Sequence, residues 1–172
     1  VYAEGCVFVA FSYRGNGCVE SKLASFSSVD GSLLWQQGLA LPEGGSADDA
    51  AAGEAALPAT LYLQGRLLVS GGSSVAYLFD AASGELLDSV ASASAGLASC
   101  ASTVFTGATD EGPALAVTAS DGTICLVEAL KSSISLSDSV NLGCNLSSCA
   151  PVCAGGAVYV GGSDGSVYRL AK

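Results

Sequence analysis

Apolar residues in this chain fall in short runs separated by glycine, and the runs recur. GCVFVAF (Gly5 to Phe11), GRLLVSGG (Gly65 to Gly72), GPALAVTASDG (Gly112 to Gly122) and GAVYVGGSDG (Gly156 to Gly165) are versions of one pattern. Each is a glycine turn and an apolar strand, followed by a second turn and a further apolar strand that runs into Asp-Ala-x-x-Gly or a worn form of it. About 47 residues separate Gly65 from Gly112 and about 44 separate Gly112 from Gly156, against about 60 between Gly5 and Gly65. The excess lies in PEGGSADDAAAGEAAL, between Pro42 and Leu57. Without that insertion the period is roughly 45 residues, which is too long for solenoid repeats of roughly 20 to 35 and fits a four-stranded propeller blade.

Strand-forming runs inside each repeat predict the same unit. In the second repeat they cover Ala59 to Gln64, Arg66 to Ser70, Val75 to Phe79 and Glu85 to Val90. In the third they cover Thr103 to Thr106, Ala114 to Ala119, Thr123 to Glu128 and Ile134 to Val140, with Asp121-Gly122 as a hairpin turn. The predicted fold is therefore all-β, a β-propeller of four-stranded antiparallel blades with about four blades in this chain, a partial or half propeller. The blades are expected over residues 1–41, 58–92, 102–143 and 149–172 of a single domain, with an insertion loop over 42–57. VYAEG at the start matches VCAGG at Val152 to Gly156. The expectation is thus a domain cut from something longer, with roughly fifteen strands, completed by further blades or by a second copy in a homodimer.

Composition narrows the setting. Half of the residues are hydrophobic and only 13% are charged, yet the uncharged stretch from Ser89 to Thr109 is too diluted by Ser, Thr and Gly to span lipid, so no membrane insertion is expected. Sheets sandwiched between neighbours account for the low charge, because they confine charged side chains to turns and edges. The net charge is −10 and there is no histidine. An acidic chain without clustered Lys or Arg lacks the positive footprint that nucleic acid requires as a partner.

Seven cysteines in so short a chain point to an oxidising compartment, hence to an exported protein at the cell surface or outside the cell. Cys6 and Cys18 open successive strands of the first blade and are predicted to pair. Cys100, Cys144, Cys149 and Cys153 are the other disulfide candidates, and Cys125, between Ile124 and Leu126, is expected to pack as a buried thiol. The spacing of Cys144, Cys149 and Cys153 lacks the paired C-x2-C form of structural zinc, so no metal site is assigned.

Two segments carry a family resemblance. LASFSSVDGSLLWQQ (Leu23 to Gln37) resembles the pyrroloquinoline-quinone-type propeller repeat, approximately L-Y-A-L-D-A-x-T-G-x-x-L-W, with Leu23, Gly31, Leu34 and Trp35 in place. AYLFDAASGELLD (Ala76 to Asp88) is closer, with Asp80, Ala81, Ser83 and Gly84 in place and Asp88 where the tryptophan would stand. The resemblance implies structural roles for Gly31, Trp35, Asp80 and Gly84: Asp80 accepts backbone hydrogen bonds from its turn, and the Trp35 ring docks between blades. Quinone-binding members are held to use adjacent cysteines, an acidic calcium site and a tryptophan floor. This chain has no adjacent cysteines and one tryptophan, so no cofactor is assigned and the chain is read as a non-catalytic member.

Other chemistry is sparse. Without histidine a Ser-His-Asp arrangement is impossible, and the acidic pairs Asp48-Asp49 and Asp110-Glu111 sit in glycine-flanked loops. The insertion, with Glu43, Asp48, Asp49 and Glu54, is the candidate recognition loop, either a short helix capped by Ser46 or a disordered acidic segment. Function is expected to be that of a binding or scaffold module for a protein or glycan ligand. The alternatives are a fragment of a quinoprotein-like periplasmic dehydrogenase and an envelope protein-assembly scaffold.

Overall fold

The computed structural model describes residues 1–15, 18–39, 59–70, 75–91, 103–109, 112–118, 122–130, 132–146 and 151–171. Within them every regular element is a strand: β1 (Tyr2–Ala3), β2 (Cys6–Gly15), β3 (Cys18–Ser27), β4 (Leu33–Leu39), β5 (Ala59–Leu63), β6 (Arg66–Ser70), β7 (Val75–Asp80), β8 (Leu86–Ala91), β9 (Thr103–Thr109), β10 (Gly112–Thr118), β11 (Thr123–Leu130), β12 (Ser133–Asn141), β13 (Val152–Ala154), β14 (Ala157–Gly161) and β15 (Val167–Ala171). They form four antiparallel meanders, β1 to β4, β5 to β8, β9 to β12 and the three-stranded β13 to β15, each in sequence order without a crossover. The chain is an all-β, propeller-type stack of such blades.

Local sequence explains the repeating geometry. Glu4-Gly5, Gln64-Gly65 and Gly155-Gly156 join the first two strands of three blades, and both residues of each pair have positive φ. That is the signature of the type I′ turn, whose twist matches that of the strands it connects, and glycine at the second place meets its demand without strain. The third and fourth strands slip register at Ser25/Phe26, Leu78/Phe79 and Leu126/Val127. A bulge therefore recurs at one place in three blades and adds local twist to the outer strand.

Period-two alternation then places the core. Along β6 and β7, Leu67, Val69, Val75, Tyr77 and Phe79 pack with Phe8, Leu23 and Leu39 of the first blade. The intervening Leu68, Ala76 and Leu78 pack with Cys125, Val127 and Ile134 of the third. Ile124 and Leu146 meet Val160 of the fourth blade, with Tyr168 and Leu170 against them. Both faces of the second sheet are thus interior, which explains how a chain half hydrophobic in composition folds as thin sheets.

One expectation is corrected here. Cys6 stands opposite Ser27 and Cys18 opposite Gly15, so the two cysteines lie at opposite ends of a long hairpin, about 30 Å apart at strand spacing. A disulfide needs Cα atoms within about 7 Å. Antiparallel strands begin at opposite ends, and Cys6 is a free thiol.

Candidate functional site

The repeat residues build contacts between blades. Asp80 closes the turn after β7: its Oδ1 accepts from the Ser83 amide (2.9 Å), the Ala82 amide (3.1 Å) and the Ser83 hydroxyl (2.9 Å). Its Oδ2 accepts from Arg66 Nη1 at 3.1 Å. These donors, the Ser83 amide foremost, hold the Asp80 carboxyl below the usual carboxylate range. In the first blade the same turn is held by Asp30, which accepts from the Ser32 amide (3.1 Å) and hydroxyl (2.8 Å). Gly31 has φ +73° there.

Trp35 crosses from the first blade to the second. Its Nε1 donates to the Ala81 carbonyl at 3.1 Å, and its ring lies so close over Gly84 that a Cβ there would fall 2.6 Å from two ring carbons. Asp88, the residue that replaces tryptophan in the next repeat, makes the corresponding bridge with reversed polarity. Its Oδ2 accepts from the Ile134 amide of the third blade at 2.9 Å. Trp35, Asp80, Gly84 and Asp88 are hence joints between blades and the turns that support them.

The junction of the third and fourth blades uses residues the repeat pattern did not single out. The Tyr168 hydroxyl donates to Asp164 Oδ2 at 2.6 Å, and Cys144 Sγ lies 3.6 Å from the same hydroxyl. Hydrogen bonding to Asp164, first of all, raises the Tyr168 hydroxyl well above the ordinary tyrosine value. The Tyr168 hydroxyl in turn lowers the Asp164 carboxyl. A Cβ on Gly162 would lie within 3 Å of Asp164 Oδ1, Cys144 Sγ and the Tyr168 ring. Asp164-Gly165 reads in the sequence only as a hairpin turn; the one available signal was the tyrosine four residues after the aspartate.

Glu43, Asp48, Asp49 and Glu54 lie outside the described residues, as do Cys100, Cys149 and the side chains of Cys18 and Cys153. The Cys125 thiol is buried, 3% exposed. Among the described residues no three His, Cys, Asp or Glu side chains gather to hold a metal ion, and no helix is long and apolar enough to cross a membrane.

Exposed large hydrophobic side chains in β2 and β13 to β15 include Val9, Tyr13, Val152 and Val167. Among the described residues β3, β7 and β11 each have a hydrogen-bonded strand on both sides, and β15, the third strand of its sheet, is bonded to β14. Its burial alternates along Val167–Ala171.

Comparison with known proteins sets this geometry in a family. The family profile described as outer membrane protein assembly factor BamB matches residues 1–125 and again 71–172. No curated protein matches the chain in sequence. Among solved structures, BamB from Moraxella catarrhalis is similar at TM-score 0.56 and 14% identity, over 94% of this chain and 42% of that one. The computationally designed Ika8 protein is similar at TM-score 0.59 and 15% identity, over 94% of this chain and 45% of that one. The designed Ika4 protein gives TM-score 0.56 and 15% identity over 98% and 93%. The chain therefore spans less than half the length of the BamB and Ika8 chains, and nearly the whole of Ika4.

Proposed function

The chain belongs to the family of the outer membrane protein assembly factor BamB, and from that premise we propose that it is a non-catalytic, exported scaffold of the cell envelope that holds extended polypeptide. The observation that carries this reading is the family match over residues 1–125 and 71–172, on a fold made of antiparallel sheets in sequence order. An extended segment added along a sheet edge would satisfy the backbone groups there, and its alternate side chains would lie against the two faces of the sheet. The family match favours assembly scaffold over the surface-displayed glycan binder that composition also allowed.

A peptide with the sequence of Glu85 to Ala91, which includes the fourth strand of the second blade, is a suitable probe. Titrated into the protein, it should bind saturably and slow exchange of the backbone amides of the strand it joins. Binding without protection of those amides, or no binding at about 1 mM peptide, would refute strand addition.

A further inference from the structure

Where two blades meet at the outer rim, their outermost strands either close on each other or stand apart. The bulges fix which positions correspond. Phe26 is opposite Leu33, Phe79 opposite Leu86 and Val127 opposite Leu136, while Trp35 and Asp88 are opposite Ser25 and Leu78. Leu34 and Leu87 are the extra residues of their bulges, and Leu87 packs with Leu78 on the core shared with the third blade. Leu86 lies on the side of Phe79, which packs with the first blade. Leu34 and Leu86 are therefore turned towards the junction of the first two blades, as Leu87 and Leu136 are towards the next.

The two junctions carry leucine at both places and differ in outcome. Leu87 and Leu136 pack on the cluster of Leu68, Leu78, Val127 and Ile134. Leu34 and Leu86 are 52% and 50% exposed, although each has a complete neighbouring blade on the side it faces. The bridging residue accounts for this. Asp88 is short and takes the Ile134 amide of β12 itself at 2.9 Å, which draws β12 along β8. At the first junction a tryptophan stands in that place. Its ring lies over Gly84, which is two residues before Leu86 as Ile134 is two before Leu136, and its Nε1 reaches the Ala81 carbonyl at 3.1 Å. The indole holds the outer strands apart, and among the described residues β4 has no comparable run against β8.

The result is an apolar cleft at the rim, with Leu34 and Trp35 on one wall and Leu86 on the other. Each wall also carries a carboxylate: Asp30 in the turn that leads into β4, and Glu85 directly before Leu86, both exposed. Among the described residues neither is in an ion pair, and Arg66 of the second blade is bonded to Asp80 at 3.1 Å. A purely apolar ligand would gain the walls alone. One with a cation beside its apolar group gains the carboxylates as well.

We propose that this cleft takes one leucine or aromatic side chain of a bound polypeptide whose neighbouring residues are lysine or arginine. That the ligand is polypeptide follows from the scaffold reading; its apolar and basic character follows from the cleft. The inserted side chain makes with Leu34, Trp35 and Leu86 the packing that Leu87 and Leu136 already have at the next junction. The net charge of −10 draws a basic segment in from longer range.

Trp35 is the only tryptophan of the chain, so its emission reports on the cleft wall. Titration of the full chain at about 0.15 M salt, where charges beyond about 8 Å are screened, uses two blocked peptides of equal apolar content. Lys-Leu-Lys-Phe-Lys should shift the emission saturably below about 1 mM, and Glu-Leu-Glu-Phe-Glu should bind at least about 10-fold more weakly. Leu34→Gln and Leu86→Gln alter half-exposed side chains, so each should unfold close to the wild-type midpoint yet weaken the basic peptide by about 10-fold. Val140→Gln, at a position of the third blade that is 41% exposed, should leave binding unchanged. Asp30→Asn combined with Glu85→Gln should bring the two peptides within about 3-fold of each other. Emission indifferent to both peptides at about 1 mM, equal affinity for both in the wild type, or a response that survives both leucine substitutions would overturn the proposal. Strand protection by the Glu85 to Ala91 peptide, with Trp35 indifferent to the basic one, would overturn the cleft and leave the scaffold reading standing. A Trp35 response without strand protection would uphold the cleft and end strand addition.

Discussion

Gly84 and Trp35 form the tightest joint between two blades, and their dependence is mutual. Gly84 has φ +74°, and any Cβ there would run into the Trp35 ring at 2.6 Å. Gly84→Ala should therefore cost about 2–4 kcal/mol, part from the left-handed backbone and part from displacing the ring. With Trp35→Ala already made, which alone should cost about 3 kcal/mol, only the backbone part remains and Gly84→Ala should cost about 1–2 kcal/mol. A double-mutant cycle by urea unfolding measures the difference; equal costs in both backgrounds would mean that the ring does not rest on this glycine. The repeat resemblance marks both positions in the sequence. It does not show the Nε1 bond to Ala81, nor that Asp88 keeps the bridge by accepting from Ile134 where tryptophan donates, because that partner lies a whole repeat away.

Among the elements, strands and hairpins were the most legible part of the chain. Alternation and glycine placed β5 to β8 within a residue or two at each end, since buried strands between tight turns leave little freedom. Register was not legible, and the Cys6–Cys18 pairing failed on it. The residues at the starts of two strands resemble each other in sequence, but antiparallel pairing puts them at opposite ends of the hairpin. The Asp80 turn gives the element-scale prediction. Its carboxyl is lowered in the folded chain, so it contributes stability above its unfolded value of about 3.9, and that contribution is lost as pH falls through the folded value. Wild type should exceed Asp80→Asn by about 1–2 kcal/mol at pH 7, a modest figure because the carboxylate is partly solvated. The gap should hold down to about pH 5 and close below about pH 4. Denaturant midpoints of the two proteins across this range decide it; a gap still open at about pH 2 would remove the turn bonds as its cause.

For the molecule as a whole, the repeat period carried the architecture, and composition agreed once both faces of each sheet were taken as interior. The junction of Cys144, Asp164 and Tyr168 could not be foreseen, because it joins a linker to a hairpin through side chains outside the repeat pattern. Blades stack face to face, and Leu67 and Leu68 report on that stacking most directly. They are neighbours on β6, 0% and 2% exposed, yet one packs with the first blade and the other with the third. Urea unfolding of Leu67→Ala and Leu68→Ala, measured side by side with the wild type, should show each losing about 2–4 kcal/mol. A sheet with one solvent face would lose that much at one of the two and almost nothing at the other, and such a result would contradict the stacked-blade structure.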